Sequence, residues 1–265
     1  MPLTPATASA SVPVVLSLEG RVALVTGASR GIGAAIAVLF GRLGARVAVN
    51  YRQDEAAARA TADAIRSAGG VAVTLQADLS QAAEADRLVE EAEKALGPLD
   101  TLVVNHGIWK RASLVDMTPE QWDETMRVNL DAACAVCRSA ARRMLTRKRG
   151  VMVLIASTSG QRGEAHYSHY SASKGALLAF TKSLASELAP GGIRVNGVAP
   201  GWVLTDMSRD ALGGESGREA LDKIPLGRPG TPEEIAGPVA FLASDLSSYL
   251  FGEILCVNGG AVMVG

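Results

Sequence analysis

The chain has 265 residues, of which 48% are hydrophobic, and its 26 basic and 27 acidic side chains leave a formal net charge of -1. Because the charges nearly cancel, no overall field would attract a polyanion, which argues against nucleic acid as a partner. No apolar run reaches the ~20 residues of a membrane span, so we predict a chain that does not enter the membrane.

Three cysteines, an odd number, indicate a reducing compartment and therefore a cytoplasmic location, without a disulfide framework. Cys134 and Cys137 form a C-x-x-C pair inside a predicted helix, and we interpret both as small buried hydrophobes without a redox role. Residues 1–17 are rich in Ala, Ser, Thr and Pro and contain no basic side chain. This composition predicts a flexible N-terminal arm and neither a signal nor a transit peptide.

Strand and helix patterns alternate from residue 20 onward. Short apolar runs predict strands at residues 21–26, 46–50, 71–76, 101–105, 151–156, 194–199 and 254–257. Helices are predicted at residues 34–43, 54–68, 81–96, 119–146 and 176–188, with one more opened by Thr231-Pro232-Glu233-Glu234 after a loop that runs to residue 226. The alternation predicts an α/β fold, in which residues 18–265 form a single Rossmann-like domain. Its doubly wound parallel sheet would have about seven strands, with helices on both faces.

A glycine-rich turn follows the first predicted strand. Gly27, Gly31 and Gly33 lie where the strand leads into a helix, and backbone N–H groups and the helix dipole can meet a pyrophosphate there. Their spacing differs from G-x-G-x-x-G, and no Lys-Ser or Lys-Thr pair follows Gly33 as a Walker loop would require. The turn therefore predicts a dinucleotide site.

The residues after the second predicted strand bear on the choice of dinucleotide. An NAD site usually has an acidic side chain there for the ribose 2′-hydroxyl, whereas this chain reads Asn50-Tyr51-Arg52. Arg30 lies within the glycine turn, and two guanidinium groups at one place would suit a 2′-phosphate. We therefore predict NADP(H) as the preferred cofactor, with NAD(H) as the alternative if Arg52 is only a solvated loop residue.

Polar residues also surround the start of the helix after the fifth predicted strand. Ser157 follows that strand, and Tyr170 and Lys174 are four residues apart, which places both on one face of a helix. A free phenol titrates near pKa ~10, and a nearby cation favours its ionised form. The pair predicts a proton-transfer site, to which an oxidised nicotinamide ring would add a second positive charge.

Together, Thr26-Gly27-x-x-x-Gly31-x-Gly33, Ser157 and Tyr170-x-x-x-Lys174 resemble the short-chain dehydrogenase/reductase family over almost the whole chain. Asp78 in Ala-Asp-Leu-Ser, Asn105-His106-Gly107, Asn129 in Val-Asn-Leu and Pro200-Gly201 also fit the family. Residues 50–52, 224–228 and 231–236 are similar to the 3-oxoacyl-[acyl-carrier-protein] reductases and to glucose 1-dehydrogenase-like members. One departure is His106, where many relatives carry alanine.

The resemblance implies a role for each matching residue. Tyr170 would exchange a proton with the substrate oxygen, Ser157 would hydrogen-bond that oxygen, and Lys174 would bind the nicotinamide ribose and lower the pKa of the tyrosine. Asn129 would hold a water that relays protons to Lys174. The implied cofactor-binding residues are Gly27, Ser29, Arg30, Gly31, Ile32, Gly33, Asn50, Tyr51, Arg52, Asp78, Leu79, Asn105, Gly107, Tyr170, Lys174, Pro200, Gly201, Val203 and Thr205.

Loops after the fourth, fifth and sixth strands should form the substrate pocket, since open parallel sheets bind ligands beyond the carboxyl ends of their strands. The candidate wall residues in these loops are Trp109, Gln161, His166, Tyr167, Trp202 and Met207. Such walls favour an apolar or extended ketone over a free sugar. Residues 205–223 contain three glycines and are predicted to form a mobile lid. His166 and His169 lack a third ligand, so we predict no metal site.

The resemblance implies an NADP(H)-dependent oxidoreductase that reduces a ketone, such as a 3-oxoacyl thioester or a similar carbonyl, to a secondary alcohol. The alternatives are an NAD-linked alcohol or sugar dehydrogenase of the same family and a dinucleotide sensor without turnover. Arg147-Lys148-Arg149 would suit an acidic acyl carrier protein, but Pro190-Gly191-Gly192 replaces a basic residue that such enzymes often have before Ile193. Most relatives are homotetramers, and the resemblance implies the same assembly here.

Overall fold

A computed structural model describes residues 15–264, except for the side chains of residues 82, 215 and 216, so residues 1–14 of the predicted N-terminal arm lie outside the described residues. Just before β1, Leu16 packs against the core and Leu18 is buried. The N–H of Leu18 donates a hydrogen bond to the carbonyl oxygen of Leu43 at 2.9 Å. No helix in this part of the chain combines the length and the apolar character that crossing a bilayer requires.

The strands of residues 15–264 are β1 Val22–Val25, β2 Arg46–Tyr51, β3 Val71–Gln76, β4 Thr101–Val104, β5 Gly150–Ile155, β6 Ile193–Pro200 and β7 Ile254–Val257. They form one parallel sheet in the order β3-β2-β1-β4-β5-β6-β7. The strand order reverses between β1 and β4, and a ligand crevice opens beyond the carboxyl ends of strands at such a point.

The α-helices of the same residues are α1 Gly31–Arg42, α2 Glu55–Ser67, α3 Ala82–Leu96, α4 Pro119–Met126, α5 Ala132–Arg147, α6 Ser159–Arg162, α7 Ser168–Leu188, α8 Arg209–Leu212, α9 Gly214–Asp222 and α10 Pro232–Ala243. They cover both faces of the sheet. The predicted α/β fold, a doubly wound parallel sheet between helices, is therefore confirmed.

Strand β1 explains why the sheet needs two helical layers. Val22 and Leu24 point to the core under α3, α5 and α7, while Ala23 and Val25 point to the core under α1, α2 and α10. All four side chains are fully buried, so the strand is a continuous apolar run with no polar face. Burial of such aliphatic side chains stabilises the fold by roughly 1.5–3 kcal/mol each.

The single helix predicted over residues 119–146 is wrong in one detail. Helix α4 begins after Thr118, whose hydroxyl accepts a hydrogen bond from the N–H of Gln121 in a capping box. Between α4 and α5 the chain forms a π-helix, Arg127–Asp131. Such π-turns are rare in proteins, and those that occur are often found at functional sites. Here the turn contains Asn129.

Three further details differ from the sequence predictions. The loop expected up to residue 226 contains α8 and α9, and a short helix, α6, precedes α7. Helices α6 and α8 span four residues each, too few for an apolar period to reveal. Cys137 is buried as predicted, but Cys134 is exposed on the solvent side of α5, so the interpretation of Cys134 as a buried hydrophobe is wrong.

Candidate active site

A cavity of about 610 Å³ opens beyond the carboxyl ends of β1, β4, β5 and β6, a size typical of small-molecule sites. The sequence-predicted residues that line it are Gly27, Ser29, Arg30, Gly31, Ile32, Tyr51, Arg52, Asn105, Gly107, Trp109, Ser157, Tyr170, Lys174, Pro200, Gly201, Trp202, Val203, Thr205 and Met207. The sequence-predicted residues outside the lining are Gly33, Asn50, Asp78, Leu79, Asn129, Gln161, His166 and Tyr167.

The glycine turn forms one end of the cavity. Gly27 and Gly31 have φ of 60° and 56°, in the left-handed region that glycine tolerates best. Gly33 lies behind the turn, where a Cβ would overlap the carbonyl oxygen of Gly27 and lie 2.5 Å from Nδ2 of Asn105. Gly33 is thus needed for close packing of the turn and not for contact with a ligand.

Helix α1 is open to an anion at its start. No side chain of residues 15–264 caps its N-terminus, and Gly31, its first residue, lines the cavity. Unpaired N–H groups and the helix dipole favour a phosphate at such a position. The lack of a cap and the glycine backbone therefore fit the pyrophosphate of a dinucleotide.

Asn50 supports the turn from behind and does not face the cavity. Its Oδ1 accepts a hydrogen bond from the N–H of Gly27 at 3.1 Å, and its Nδ2 lies 3.3–3.4 Å from the carbonyl oxygens of Tyr51, Leu75 and Ala77. The Asp78 carboxylate accepts from the N–H and hydroxyl of Ser80, and Leu79 is buried. Contact of Asp78 and Leu79 with adenine stays a prediction.

Two guanidinium groups reach the rim of the cavity. Arg30 and Arg52 are both exposed and both line it. Asp54, which lies in the lining two residues after Arg52, uses its carboxylate to cap α2 by accepting from the N–H of Ala57 at 2.9 Å. Neither arginine forms an ion pair within the described residues, and Arg52 donates one hydrogen bond to Oε1 of Gln53 at 3.2 Å, so both guanidinium groups keep donors for a phosphate.

The predicted proton-transfer residues meet at the other side of the cavity. Nζ of Lys174 donates to the carbonyl oxygen of Ile155 at 2.9 Å and lies 5.9 Å from the ring centre of Tyr170. The lysine is 4% exposed, and this burial lowers its pKa to about 8. Ser157, which follows β5, also lines the cavity, and its Oγ accepts from the N–H of Ser159 at 3.1 Å.

The protein's own groups hold the proton on Tyr170. Burial raises the pKa of Tyr170 to about 12, hydrogen bonding by Ser157 lowers it, and the charge of Glu164 raises it further. Desolvation of the phenolate is the largest of these effects, and the depression by Lys174 that the resemblance implies stays a prediction. Ionisation of this tyrosine would need a further positive charge at the cavity.

Asn129 joins two elements beneath the cavity. Its Oδ1 accepts from the N–H of Ile108 at 2.8 Å, and its Nδ2 donates to the carbonyl of Ile108 at 3.0 Å and to Oγ of Ser173 at 3.1 Å. The side chain thereby fixes the loop after β4 to α7. Its two donors are used and one lone pair of Oδ1 remains, so the water relay stays a prediction.

His106 lines the cavity as a neutral side chain. Its Nδ1 lies 2.8 Å from Oγ1 of Thr26, while its Nε2 is buried without a hydrogen-bond partner within residues 15–264. Burial, with the charge of Lys174 as a second cause, lowers the pKa of His106 to about 3. A neutral imidazole therefore stands where many relatives carry alanine.

Aromatic rings form the wall at the substrate side. The ring of Trp109 stacks on Tyr167 with centroids 4.4 Å apart and 7° between planes, and it meets Trp202 edge-on at 5.7 Å. Trp109, Trp202 and Met207 line the cavity as predicted, whereas Tyr167 contacts the Trp109 ring from outside the lining.

Gln161 and His166 are not wall residues. The amide of Gln161 donates to Sγ of Cys256, so it is engaged away from the cavity. His166 is exposed, at φ 66°, and its carbonyl oxygen accepts from the N–H of Ala112. Residues 15–264 contain no group of three or more His, Cys, Asp or Glu side chains placed to hold a metal ion.

Arg162 and Glu164 also line the cavity, although no motif in the sequence singled them out. Both are charged residues that lie between Ser157 and Tyr170 in the sequence. Their charge at this position was the one signal that could have indicated a place in the site. Neither belongs to a motif of the family, and the short helix α6 that carries Arg162 was not recognised.

This sheet, with an anion-binding glycine turn and a serine, tyrosine and lysine around one crevice, defines a dinucleotide-dependent oxidoreductase. A family model described as enoyl-(acyl carrier protein) reductase matches residues 27–262. The chain is 39% identical to 3-oxoacyl-[acyl-carrier-protein] reductase of Synechocystis sp. over 248 residues, 93% of this chain and 99% of the relative. The chain belongs to the short-chain dehydrogenase/reductase family, as its motifs predicted.

Solved structures agree with this assignment. A dehydrogenase/reductase from Sinorhizobium meliloti 1021 has a TM-score of 0.89 at 40% identity, covering 94% of this chain and 97% of that one. A proposed NAD(P) dependent gluconate 5-dehydrogenase from Beutenbergia cavernae, solved with NADP at low occupancy, has a TM-score of 0.88 at 41% identity. The match covers 93% of this chain and 98% of that one, and it supports a nicotinamide dinucleotide as the cofactor.

Proposed function

We propose that this chain is an NADP(H)-dependent oxidoreductase that reduces a ketone, a 3-oxoacyl thioester or a similar carbonyl, to a secondary alcohol. One observation carries the proposal: Ser157, Tyr170 and Lys174 line the same cavity as the glycine turn at the start of α1. A reacting carbonyl and a dinucleotide can therefore be held side by side.

Each residue has a distinct task in this reaction. The bound dinucleotide supplies the hydride. Tyr170, which the protein keeps protonated, donates its proton to the carbonyl oxygen, and Ser157 donates a hydrogen bond to that oxygen as charge develops on it. Lys174, anchored to Ile155, binds the ribose hydroxyls and brings positive charge close to the phenol.

The preference for NADP(H) over NAD(H) rests on the rim of the cavity. Arg30 and Arg52 line it, and no acidic side chain stands at the end of β2, where the chain reads Asn50-Tyr51-Arg52. Guanidinium groups bind phosphate with strong, charge-assisted hydrogen bonds, which suits the 2′-phosphate of NADP.

A second candidate is a dehydrogenase of an alcohol or a sugar, and the relative from Beutenbergia cavernae carries such a name. Delivery of the substrate on a carrier protein has less support. Arg147 and Arg149 pair with Glu93 and Asp100 next to the start of β5, whereas the cavity opens at the opposite, carboxyl end of that strand.

The decisive test measures oxidation of NADPH and NADH with a short 3-oxoacyl thioester and a panel of ketones. We expect Tyr170→Phe to lower kcat by about 10²–10⁴-fold, the usual contribution of a general acid. Tyr249→Phe, at a side chain 98% exposed, is the matched control. Equal turnover by the wild type and Tyr170→Phe, or no turnover of any ketone with NADPH binding intact, would contradict the proposal.

The lid, the single domain over residues 18–265 and the homotetramer stay proposals. For the lid, Thr205, Met207 and Ser208 line the cavity just before α8 and α9. For the tetramer, exposed hydrophobic side chains flank β7, among them Phe251, Met263 and Val264. Light scattering on the purified protein would measure the mass, and a monomer at micromolar concentration would exclude the tetramer.

A further inference from the structure

Two side chains of opposite charge face the substrate side of the cavity from one short segment. Arg162 is the last residue of α6, and Glu164 lies two residues later, before α7 begins. Both line the cavity together with Ser157 and Tyr170. The reaction described above needs neither of them, so their charges call for a separate explanation.

Glu164 is held in place by hydroxyl groups. Its Oε2 accepts from Oγ of Ser159 at 2.9 Å, and Oγ of Ser171 lies 2.8 Å from the same Ser159 oxygen. The N–H of Ser159 donates to Oγ of Ser157. The carboxylate is therefore linked through one residue to the serine that would hold the substrate oxygen.

The other oxygen of this carboxylate has unused capacity. Within residues 15–264, Oε1 of Glu164 accepts no hydrogen bond, and the carboxylate forms no ion pair. An ionised carboxylate has about four acceptor sites, of which Ser159 occupies one. A half-buried acceptor beside a cavity is matched by a ligand that donates a hydrogen bond, such as a hydroxyl group.

Arg162 offers the complementary group. Its guanidinium, which carries five N–H donors, makes no hydrogen bond and no ion pair with another residue of 15–264. Although Arg162 and Glu164 are two residues apart, they do not pair with each other. Two unpaired opposite charges at one cavity fit a ligand that carries both an anion and a hydroxyl donor.

The aromatic side chains that line the cavity suit the carbon skeleton of such a ligand. Trp109 and Trp202 line the cavity with aromatic rings, and the stack of Trp109 on Tyr167 fixes the position of the first ring. Aromatic rings provide a large apolar surface at low cost in side-chain entropy. C–H groups of a hydroxylated chain can pack there while its polar groups face the charged segment.

We infer that the ketone substrate is a hydroxylated keto acid, with a hydroxyl group on Glu164 and the carboxylate on Arg162. This inference rests on the proposed function and deepens it. It departs from the expectation based on the aromatic walls alone, which favoured an apolar or extended ketone over a free sugar. A 3-oxoacyl thioester carries neither group next to its keto carbon and serves as the comparison substrate.

The test uses four ketones that combine the two groups in every way. They are 5-keto-D-gluconate with both groups, L-sorbose with hydroxyls only, 4-oxopentanoate with the carboxylate only, and a short 3-oxoacyl thioester with neither. We measure kcat/KM with NADPH for the wild-type protein, Arg162→Gln and Glu164→Gln. Arg138→Gln and Glu187→Gln, exposed residues outside the cavity lining, are the matched controls.

In the wild type we expect 5-keto-D-gluconate to have the highest kcat/KM. Arg162→Gln should lower the ratio of kcat/KM for keto acids to that for neutral ketones at least 10-fold. Glu164→Gln should lower the ratio of kcat/KM for hydroxylated ketones to kcat/KM for non-hydroxylated ketones by a similar factor. The two control variants should change neither ratio. Unchanged ratios with turnover that still depends on Tyr170 would overturn this inference alone, whereas no turnover of any ketone would overturn the proposed function with it.

Discussion

Lys174 and Ile155 are joined by a hydrogen bond of 2.9 Å from the ammonium group to the backbone carbonyl oxygen. The bond ties α7 to the carboxyl end of β5, two residues before Ser157. It fixes the lysine beside Tyr170. Only 4% of the lysine is exposed, so its positive charge is buried, which is energetically unfavourable. The same relationship therefore positions the site and reduces the stability of the fold near neutral pH.

The buried charge predicts a specific dependence of stability on pH. The pKa of Lys174 is about 8 in the folded protein and 10.5 for an ordinary lysine. Between these values only the unfolded chain binds this proton, so Lys174 should contribute a rise of about 3 kcal/mol to the free energy of unfolding as the pH increases. Lys174→Met should remove this rise. Urea titrations from pH 7 to 10.5 would measure it.

Lys182→Met changes an exposed lysine of the same helix and is the control for that series. The wild-type and Lys182→Met curves should run parallel. A constant difference in unfolding free energy between wild type and Lys174→Met across this pH range would contradict the assigned pKa of Lys174.

His106→Ala should flatten the loss of stability in acid. The pKa of His106 is about 3 in the folded protein, against 6.5 for an ordinary histidine. As the pH falls below 6.5 the unfolded chain gains a proton that the folded chain does not bind, so wild-type stability falls, by about 3 kcal/mol at pH 4.5. Unfolding curves at pH 7 and 4.5 measure the difference, with the exposed His166→Ala as control. If the unfolding free energy fell by the same amount from pH 7 to 4.5 in His106→Ala and in the wild type, the assignment of a neutral His106 would be wrong.

Gly33→Ala should destabilise the protein and weaken dinucleotide binding together. Its Cβ would overlap the carbonyl oxygen of Gly27, so we expect a loss of about 2 kcal/mol or more in unfolding free energy. Gly237→Ala in α10 meets no atom within 4 Å apart from its chain neighbours, and because Pro238 follows and offsets the gain in helix propensity, stability should change little. Denaturant midpoints and NADPH titration measure both effects. Equal stability of the two variants would refute the close packing at Gly33.

Removal of both rim arginines should change the choice of cofactor. We expect Arg30→Ala with Arg52→Ala to lower kcat/KM for NADPH about 100-fold, because two charge-assisted hydrogen bonds contribute about 3 kcal/mol, while NADH is little affected. Arg59→Ala is the control, since Arg59 pairs with Glu55 on α2 outside the lining. An unchanged ratio of NADPH to NADH activity would remove the argument for NADP.

The short-range patterns were sufficient for much of this site. Gly27, Gly31, Ser157, Tyr170 and Lys174 were found because each sits at a junction of strand and helix or at a fixed helical spacing. By contrast, the sequence shows Glu164 only as a charge between two predicted site residues, and the fold is needed to show its bond to Ser159 and its place in the cavity. Contacts of this kind depend on the conformation of the turn between α6 and α7, and an irregular turn has no hydrophobic periodicity from which it could be predicted.

Periodicity and motif spacing are local properties of the chain, so they were enough to predict the alternation of strands and helices, the parallel sheet and the family. The tertiary structure was needed to show that Asn50 supports the glycine turn from behind, that Gln161 turns away from the cavity and that Asn129 lies in a π-turn. It also decided the pKa of Tyr170, since desolvation depends on everything packed around the phenol. The burial of a side chain and the pairing of its charge depend on residues that are brought together only when the chain has folded.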